Sequence, residues 1–242
     1  MTHQDFDPRL EELKQFDTPS ITNVVATYPD KEDLCLGLYN PWTTNWYTDS
    51  SLKCMYPELG RRAGYAVTCV YEAPDPSFKR LGFVDVLKAI EASPKPVILV
   101  VKQNMPEALK NKNGLIGGNM VTAMKTMGCV GCISDGPSRD VDEIREMDFQ
   151  YMLTGACAGH GAFSVAAVNV PVQVCGMDVA PGEIIHMDEN GAVKFPADKL
   201  DQVTALSYQL AEVEKKRMAA IRACKTAEEI GRVMGGFESI EK

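Results

Sequence analysis

One stretch limits the folds open to this chain more than any other: Gly117 to Asp140, reading GGNMVTAMKTMGCVGCISDGPSRD. It begins with a Gly-Gly-Asn loop, enters a helix expected over 119–127, crosses an apolar strand at 129–134 and ends on Arg139-Asp140. Such a unit can return its two ends to the same edge of a sheet. The segments around it repeat the alternation. AVTCVY (66–71) and PVILVVK (96–102) read as strands, and between them GFVDVLKAIEAS (82–93) reads as a helix with Val84, Leu87 and Ile90 on one face. A short helix follows at 140–147, then strands near 150–154 and 171–176. A hairpin at 183–195 turns on Asn190-Gly191. A long charged helix over 198–224 and a last short one, with Thr226 and Glu229 as a capping box, close the chain. Helices alternating with strands, then strands under a closing helix, predict a mixed α/β sandwich.

The 242 residues fit one domain running 1–242, with C-terminal helices at 198–240. Near the start, residues 7–16 form an amphipathic helix. A second follows in FDTPSITNVVA, with Asp17 or Thr18 as N-cap, Pro19 at its first position and Ile21, Val24 and Val25 on one face. Residues 29–58 are an irregular, aromatic-containing insertion, either functional or a cover packed by Trp42 and Trp46. A net charge of −8 lacks the basic face that nucleic acid requires. No apolar run reaches the length of a membrane span, and the start has no signal-peptide layout. Eight cysteines, several in strand-like contexts, read as reduced thiols of a cytoplasmic protein. Cys129-x-x-Cys132 has no second pair nearby and reads as part of a buried strand rather than a zinc or redox pair.

The chemistry is concentrated at the two ends of the opening stretch. Gly117, Gly118 and Asn119 place free backbone N–H groups and the positive end of a helix dipole where an anion can sit. Arg139 can grip a carboxylate with two parallel hydrogen bonds. Asp140 can hold a hard divalent cation that keeps several of its waters. Together they suit a small 2-oxo acid with Mg²⁺. The bland alternative is structural: Asp140-Val-Asp-Glu143 fits a capping box for the helix at 140–147. His160, between glycines in GACAGHGAF, could reach such a site, whereas His186 alternates with apolar neighbours and reads as surface or satisfied core.

At Gly117–Asp140 the chain resembles the RraA-like family, which includes the regulator of ribonuclease E activity A and metal-dependent 4-hydroxy-4-methyl-2-oxoglutarate aldolases. FDTPSITNVVA, GRRAGYAVTCV and VNVPVQVCGMDVAPGEIIHMDENGAVKFP are similar to the family's N-terminal helix, first core strand and C-terminal strands, so that the likeness covers about residues 10–234. The resemblance implies a swivelling β/β/α sandwich, a homotrimer or hexamer, and sites between subunits. It implies that Arg139 binds the pyruvate part of the substrate, that Asp140 holds Mg²⁺ or Mn²⁺, and that the amides near Asn119 and Met120 bind the carboxylate. Family aldolases carry an acidic residue twenty-one positions before the arginine. Here that position is Gly118.

The expected function is therefore a divergent Mg²⁺-dependent lyase. It would cleave a small 2-oxo acid by retro-aldol reaction or decarboxylation and leave a pyruvate-type enolate, with Arg139 catalytic and His160 the candidate proton source. The alternative is a noncatalytic ligand-binding or regulatory protein on the same scaffold.

Overall fold

A computed structural model of the protein describes residues 6–26, 34–78 and 81–235. Its frame is an eight-stranded sheet built on one long strand, β2 (Arg62–Glu72), with β1 (Lys53–Cys54) at one edge. β2 is followed by α3 (Phe83–Ala92) and then by β3 (Val97–Asn104), which pairs with it in parallel, Tyr65 opposite Val97 through Glu72 opposite Asn104. α4 (Glu107–Lys110) and α5 (Gly118–Thr126) lead to β4 (Cys129–Ser134), and α6 (Val141–Glu146) leads to β5 (Gln150–Leu153), each again parallel to its neighbour. On its other side β2 splits its partners. Its C-terminal half pairs antiparallel with β6 (Ser164–Val168), and its N-terminal half with β9 (Ile184–Asp188), which continues into β10 (Gly191–Phe195). β7 (Val172–Val174) and β8 (Met177–Val179) form a separate ribbon.

The period-2 alternation of the strands sorts their side chains into two layers. Val67, Cys69 and Tyr71 of β2, Val97, Leu99 and Val101 of β3 and Cys132 of β4 face the helices, against Val86 and Ile90 of α3, Val121 and Met124 of α5 and Ile144 of α6. The intervening residues, Ala66, Ile98, Val100 and Ile133, face the ribbon through Val172, Val174, Met177 and Val179. Ribbon, sheet and helices are the three layers of the expected β/β/α sandwich. A third cluster closes the β9–β10 end. There α1 (Pro8–Leu13), α2 (Thr18–Val25) and the first half of α7 (Leu200–Ala223) bury Leu10, Val24, Leu200 and Val203. The last helix, α8 (Ala227–Met234), carries the expected capping box of Thr226 and Glu229.

Several sequence expectations shift. In α3 the buried residues are Val86 and Ile90, and Val84 is 61% exposed. Two apolar diagonals run along that helix, and the sheet takes the one starting at Phe83. The stretch 103–118 contains α4, and β6 and β8 were not anticipated. Within 29–58, residues 29–33 lie outside the described residues. The remainder docks through a bridge from Tyr39 to Ala26, another from Tyr47 to Val193, and β1 against β5. Trp46 is buried, stacked on Tyr39 and donating to the Thr43 carbonyl at 2.6 Å, but Trp42 is 78% exposed, so only one of the two tryptophans packs the cover. Cys129 and Cys132 are buried free thiols inside the sheet. Asp17 caps α2, its side chain accepting from the Ser20 amide at 2.9 Å.

His186 is wholly buried in β9. Its Nδ1 lies 2.9 Å from Thr18 Oγ1. Burial pushes its pKa down from 6.5 to about 4, against the nearby Asp188 carboxylate, which acts in the opposite direction. The folded chain thus keeps the ring neutral where the unfolded chain protonates it. Stability from this source is complete above pH 6.5 and is lost as pH falls toward 4. Urea unfolding at pH 7 and pH 4.5 should show the wild type losing roughly 2–3 kcal/mol more than His186→Gln between the two conditions. Equal losses would show that the ring is not held neutral.

Candidate functional site

β3 and β4 lie side by side and parallel, so their carboxyl ends open on the same edge of the sheet. In open α/β sheets the crevice beyond those ends is where ligands bind. The loop after β3 leads to Gly117 and α5, and the loop after β4 to Arg139 and Asp140. Between them lies a cleft of about 190 Å³ that brings together Gly117, Gly118, Asn119, Met120, Arg139, Asp140 and His160. Residues as far apart in sequence as Gly117 and His160 thus share one wall.

The two glycines are explained by the carboxylates packed against them. A Cβ on Gly117 would lie 2.5 Å from Asp140 Oδ2, and one on Gly118 would lie 2.3 to 2.6 Å from Oε1, Cδ and Oε2 of Glu143. Any side chain at either position must displace an acid. Gly114 makes room in the same way for Arg139, whose Cβ and Cγ would lie 3.0 and 3.1 Å from a Cβ there.

Asp140 does not cap α6. It stands at the N-cap position with a left-handed backbone, φ 58° and ψ 36°, and its side chain makes no capping bond. Its Oδ2 instead accepts from the Gly118 amide at 3.0 Å, and its Oδ1 from Arg139 Nε at 3.1 Å. The capping-box reading of Asp140 and Glu143 therefore fails: the carboxylate is turned back to the start of α5. The Gly118 amide first, and Arg139 second, hold the Asp140 carboxyl below the usual carboxylate range. Arg139 lines the cleft and spends only Nε on Asp140, so its two terminal nitrogens have no partner among the described residues. The amides of Asn119 and Met120 belong to the first turn of α5, where a helix has no acceptors of its own.

Sequence reading missed the residues that hold these loops together. Ser138 Oγ donates to the Ile116 carbonyl and accepts from the Ile116 amide at 3.3 Å, and Tyr151 Oη donates to the same carbonyl at 2.8 Å. Ser138 also takes its backbone partners from the third loop, its amide donating to Gly155 and its carbonyl accepting from Cys157. That third loop carries His160 and is tied back by the Gly114 amide on the Gly159 carbonyl at 3.0 Å. His160 is exposed, with Nδ1 2.9 Å from the Gly161 carbonyl oxygen. If that contact is a hydrogen bond, Nδ1 carries the proton and Nε2 is free to accept.

No group of three or more His, Cys, Asp or Glu is placed to enclose a metal among the described residues. The donor set does not fit a zinc-type cage. One ionised carboxylate beside a cleft open to solvent does fit Mg²⁺, which typically takes one or two carboxylates and fills its other positions with water and substrate oxygens.

Comparison with known proteins agrees with this architecture. The profile of the Aldolase/RraA (RraA-like) family matches residues 39–194, well over half of the chain. Protein DlpA of Legionella pneumophila is 26% identical over 155 residues, 62% of this chain and 24% of DlpA. A 4-hydroxy-4-methyl-2-oxoglutarate aldolase of Thermus thermophilus is 30% identical over 86 residues, 35% of this chain and 52% of the enzyme. This chain thus spans about half or less of the length of either relative. The crystal structure of Streptomyces coelicolor RraAS2, an unusual member of the RNase ES inhibitor RraA protein family, superposes with a TM-score of 0.65 at 19% identity, covering 89% of this chain and 98% of the other. With the family profile spanning the sheet from the Tyr39 bridge to β10, and the same fold in a solved member, the chain belongs to the RraA-like family.

Proposed function

We propose that this protein is a divergent Mg²⁺-dependent lyase that cleaves a small 2-oxo acid, by retro-aldol reaction or decarboxylation, to a pyruvate-type enolate. One observation carries the reading: a free guanidinium edge, an ionised aspartate and the amides of a helix start share a single small cleft. The substrate carboxylate would lie against the amides of Asn119 and Met120, within reach of the terminal nitrogens of Arg139. When bound at Asp140, Mg²⁺ or Mn²⁺ would supply positive charge to the oxygens of the 2-oxo acid. Arg139 would bear the negative charge that builds on the 2-oxo oxygen as the C–C bond breaks, and stabilisation of this kind is commonly the largest catalytic contribution. His160, at the rim, is a candidate for delivering the proton that the enolate carbon then takes.

A second reading is a binder without turnover. The family contains both aldolases and RNase inhibitors by name, and Gly118 offers no side chain for proton transfer. This reading takes in a noncatalytic ligand-binding or regulatory role on the same scaffold. Where an oxo acid binds, the two readings part on whether the bound molecule exchanges a proton.

Oxalate, a mimic of the pyruvate enolate, should bind in calorimetry at least about tenfold more tightly with Mg²⁺ than without. Asp140→Asn should erase that difference while leaving Tm nearly unchanged. Asparagine tolerates the left-handed backbone and can still accept from Gly118. Arg139→Lys should weaken oxalate about 10- to 100-fold by removing the bidentate grip. Absence of oxalate binding in the wild type would remove the 2-oxo-acid site altogether.

We also propose a homotrimer or a hexamer. No residue of α7 beyond Leu210 is buried within its own chain, and Met218 is 48% exposed. Half of a 24-residue helix is thus available to a neighbour. Light scattering at micromolar concentration should give three or six times the chain mass of 26.5 kDa. A monomer would count against a site completed by a neighbouring subunit.

A further inference from the structure

Resting on the reading of the cleft as a 2-oxo-acid site, we propose that Glu143 is its acid–base positioning residue, holding the water that exchanges a proton with the enolate carbon. The cleft needs such a group, and the two charged side chains that line it, Asp140 and Arg139, are committed elsewhere. Asp140 is tied to Gly118 and Arg139, and Arg139 is a permanent cation. Nδ1 of His160 faces the Gly161 carbonyl. Glu143 makes no hydrogen bond or ion pair with any described residue, although it sits in the first turn of α6 where a capping bond was open to it.

Its carboxylate nonetheless lies beside the site. Both oxygens lie where a side chain on Gly118 would begin, at 2.3 and 2.6 Å from a Cβ built there. Gly118 lines the cleft and Glu143 itself does not, so the carboxylate lies directly beside the cleft, against Gly118. It comes from the opposite helix, three residues after Asp140 and hence on the same side of α6. The missing side chain at 118 and the unpartnered acid at 143 are one arrangement, since the glycine leaves the space that Glu143 fills. In the lyase direction the C3–C4 bond breaks: its electron pair passes to the C2–C3 bond and the carbonyl electrons to the 2-oxo oxygen, while the other fragment leaves as CO2 or, in the retro-aldol case, as a carbonyl compound whose hydroxyl proton goes to solvent. C3 of the resulting enolate then takes a proton from the water that Glu143 orients, and the hydroxide left behind recovers a proton from bulk solvent. In the reverse step that water first gives up a proton to bulk solvent, and the hydroxide so formed takes a C3 proton from bound pyruvate.

The reverse step gives a test that needs no knowledge of the native substrate. Incorporation of solvent deuterium into the methyl group of pyruvate is followed by NMR with Mg²⁺ present, beside oxalate calorimetry on the same proteins. Glu143→Gln should slow exchange by about 10²–10⁴-fold with the KM for pyruvate and the oxalate affinity little changed. A structural role for Glu143 would move those binding values instead. In the Glu143→Gln background, Gly118→Asp returns a carboxylate from the other side and should recover at least about tenfold of the lost rate. The substitution is sterically open there, because the atoms it meets are the end of an exposed, flexible side chain. Exchange at the wild-type rate in Glu143→Gln, with oxalate still bound, overturns the assignment and leaves the 2-oxo-acid site standing, with His160 the next group to replace. A wild type that binds oxalate but exchanges no proton also overturns it and favours the binder. A wild type that binds no oxalate removes the site and the assignment together.

Discussion

The hydrogen bond from the Gly118 amide to the Asp140 carboxylate, 3.0 Å long, is the contact on which the arrangement of the site depends. It ties the start of α5 to the loop that follows β4, so two loops leaving adjacent parallel strands are fixed against each other at one point. An ionised acceptor makes this bond about twice as strong as a neutral one. It also consumes one of the four amides that a helix start leaves unsatisfied and sets negative charge against the positive end of the helix dipole. Arg139 is oriented by the same carboxylate through Nε, which decides which of its nitrogens are left for a ligand.

Behind that contact the sheet supplies rigidity. β3 and β4 are buried on both faces, by helices on one side and the β7–β8 ribbon on the other, and the side chains that fill both layers are almost wholly excluded from water. At roughly 1.5–3 kcal/mol for each buried Val, Leu or Ile, these strands are held far more firmly than the loops they carry. The loops gain their own definition from Ser138, a buried hydroxyl that joins the Ile116 segment to the Gly155–Cys157 segment. Replacing it with an apolar residue would leave the Ile116 amide without that partner in a dry environment, so this serine shapes the cleft without touching a ligand in it.

How much of this could be read from the chain depends on where each signal resides. β4 was found at its observed bounds because Cys129–Ser134 is a continuous apolar run between turn residues. β6, SVAAV, was missed because its residues are small and its strand identity comes from pairing with β2. Three-residue β8 is too short to show any period. For α3, spacing showed an apolar face but could not decide between diagonals, since Val84 and Phe83 fit equally until the sheet is in place. At the site, the glycine pair, the two residues after it, Arg139, Asp140 and His160 were legible, and the cleft collects all seven of them. Ser138 was not, because a serine acquires its meaning only from Ile116 across the gap. Glu143 was misread, since a glutamate three residues after an aspartate is the pattern of a capping box and nothing in one dimension shows the aspartate turned the other way.

That turn of Asp140 has a cost, which bears on why the residue is there. A non-glycine residue in the left-handed region is disfavoured by about 1–2 kcal/mol, though aspartate tolerates it better than most. A helix start without its side-chain cap forgoes about 0.5–2 kcal/mol more. Asp140 bears both losses and leaves α6 uncapped, whereas Asp17 and Thr226 elsewhere in the chain cap their helices in the ordinary way. The energy returned by the Gly118 bond is of similar size, so a capped, right-handed Asp140 would serve stability about as well. What such a residue would not do is place an ionised carboxylate, an oriented arginine and an unpartnered glutamate around one glycine pair. Asp148, Asn169 and Cys175 also have left-handed backbones, but Asp140 alone of these four lines the cleft, and local strain that brings little net stability and yet assembles charge in a cleft is the pattern expected of a site shaped for its ligand.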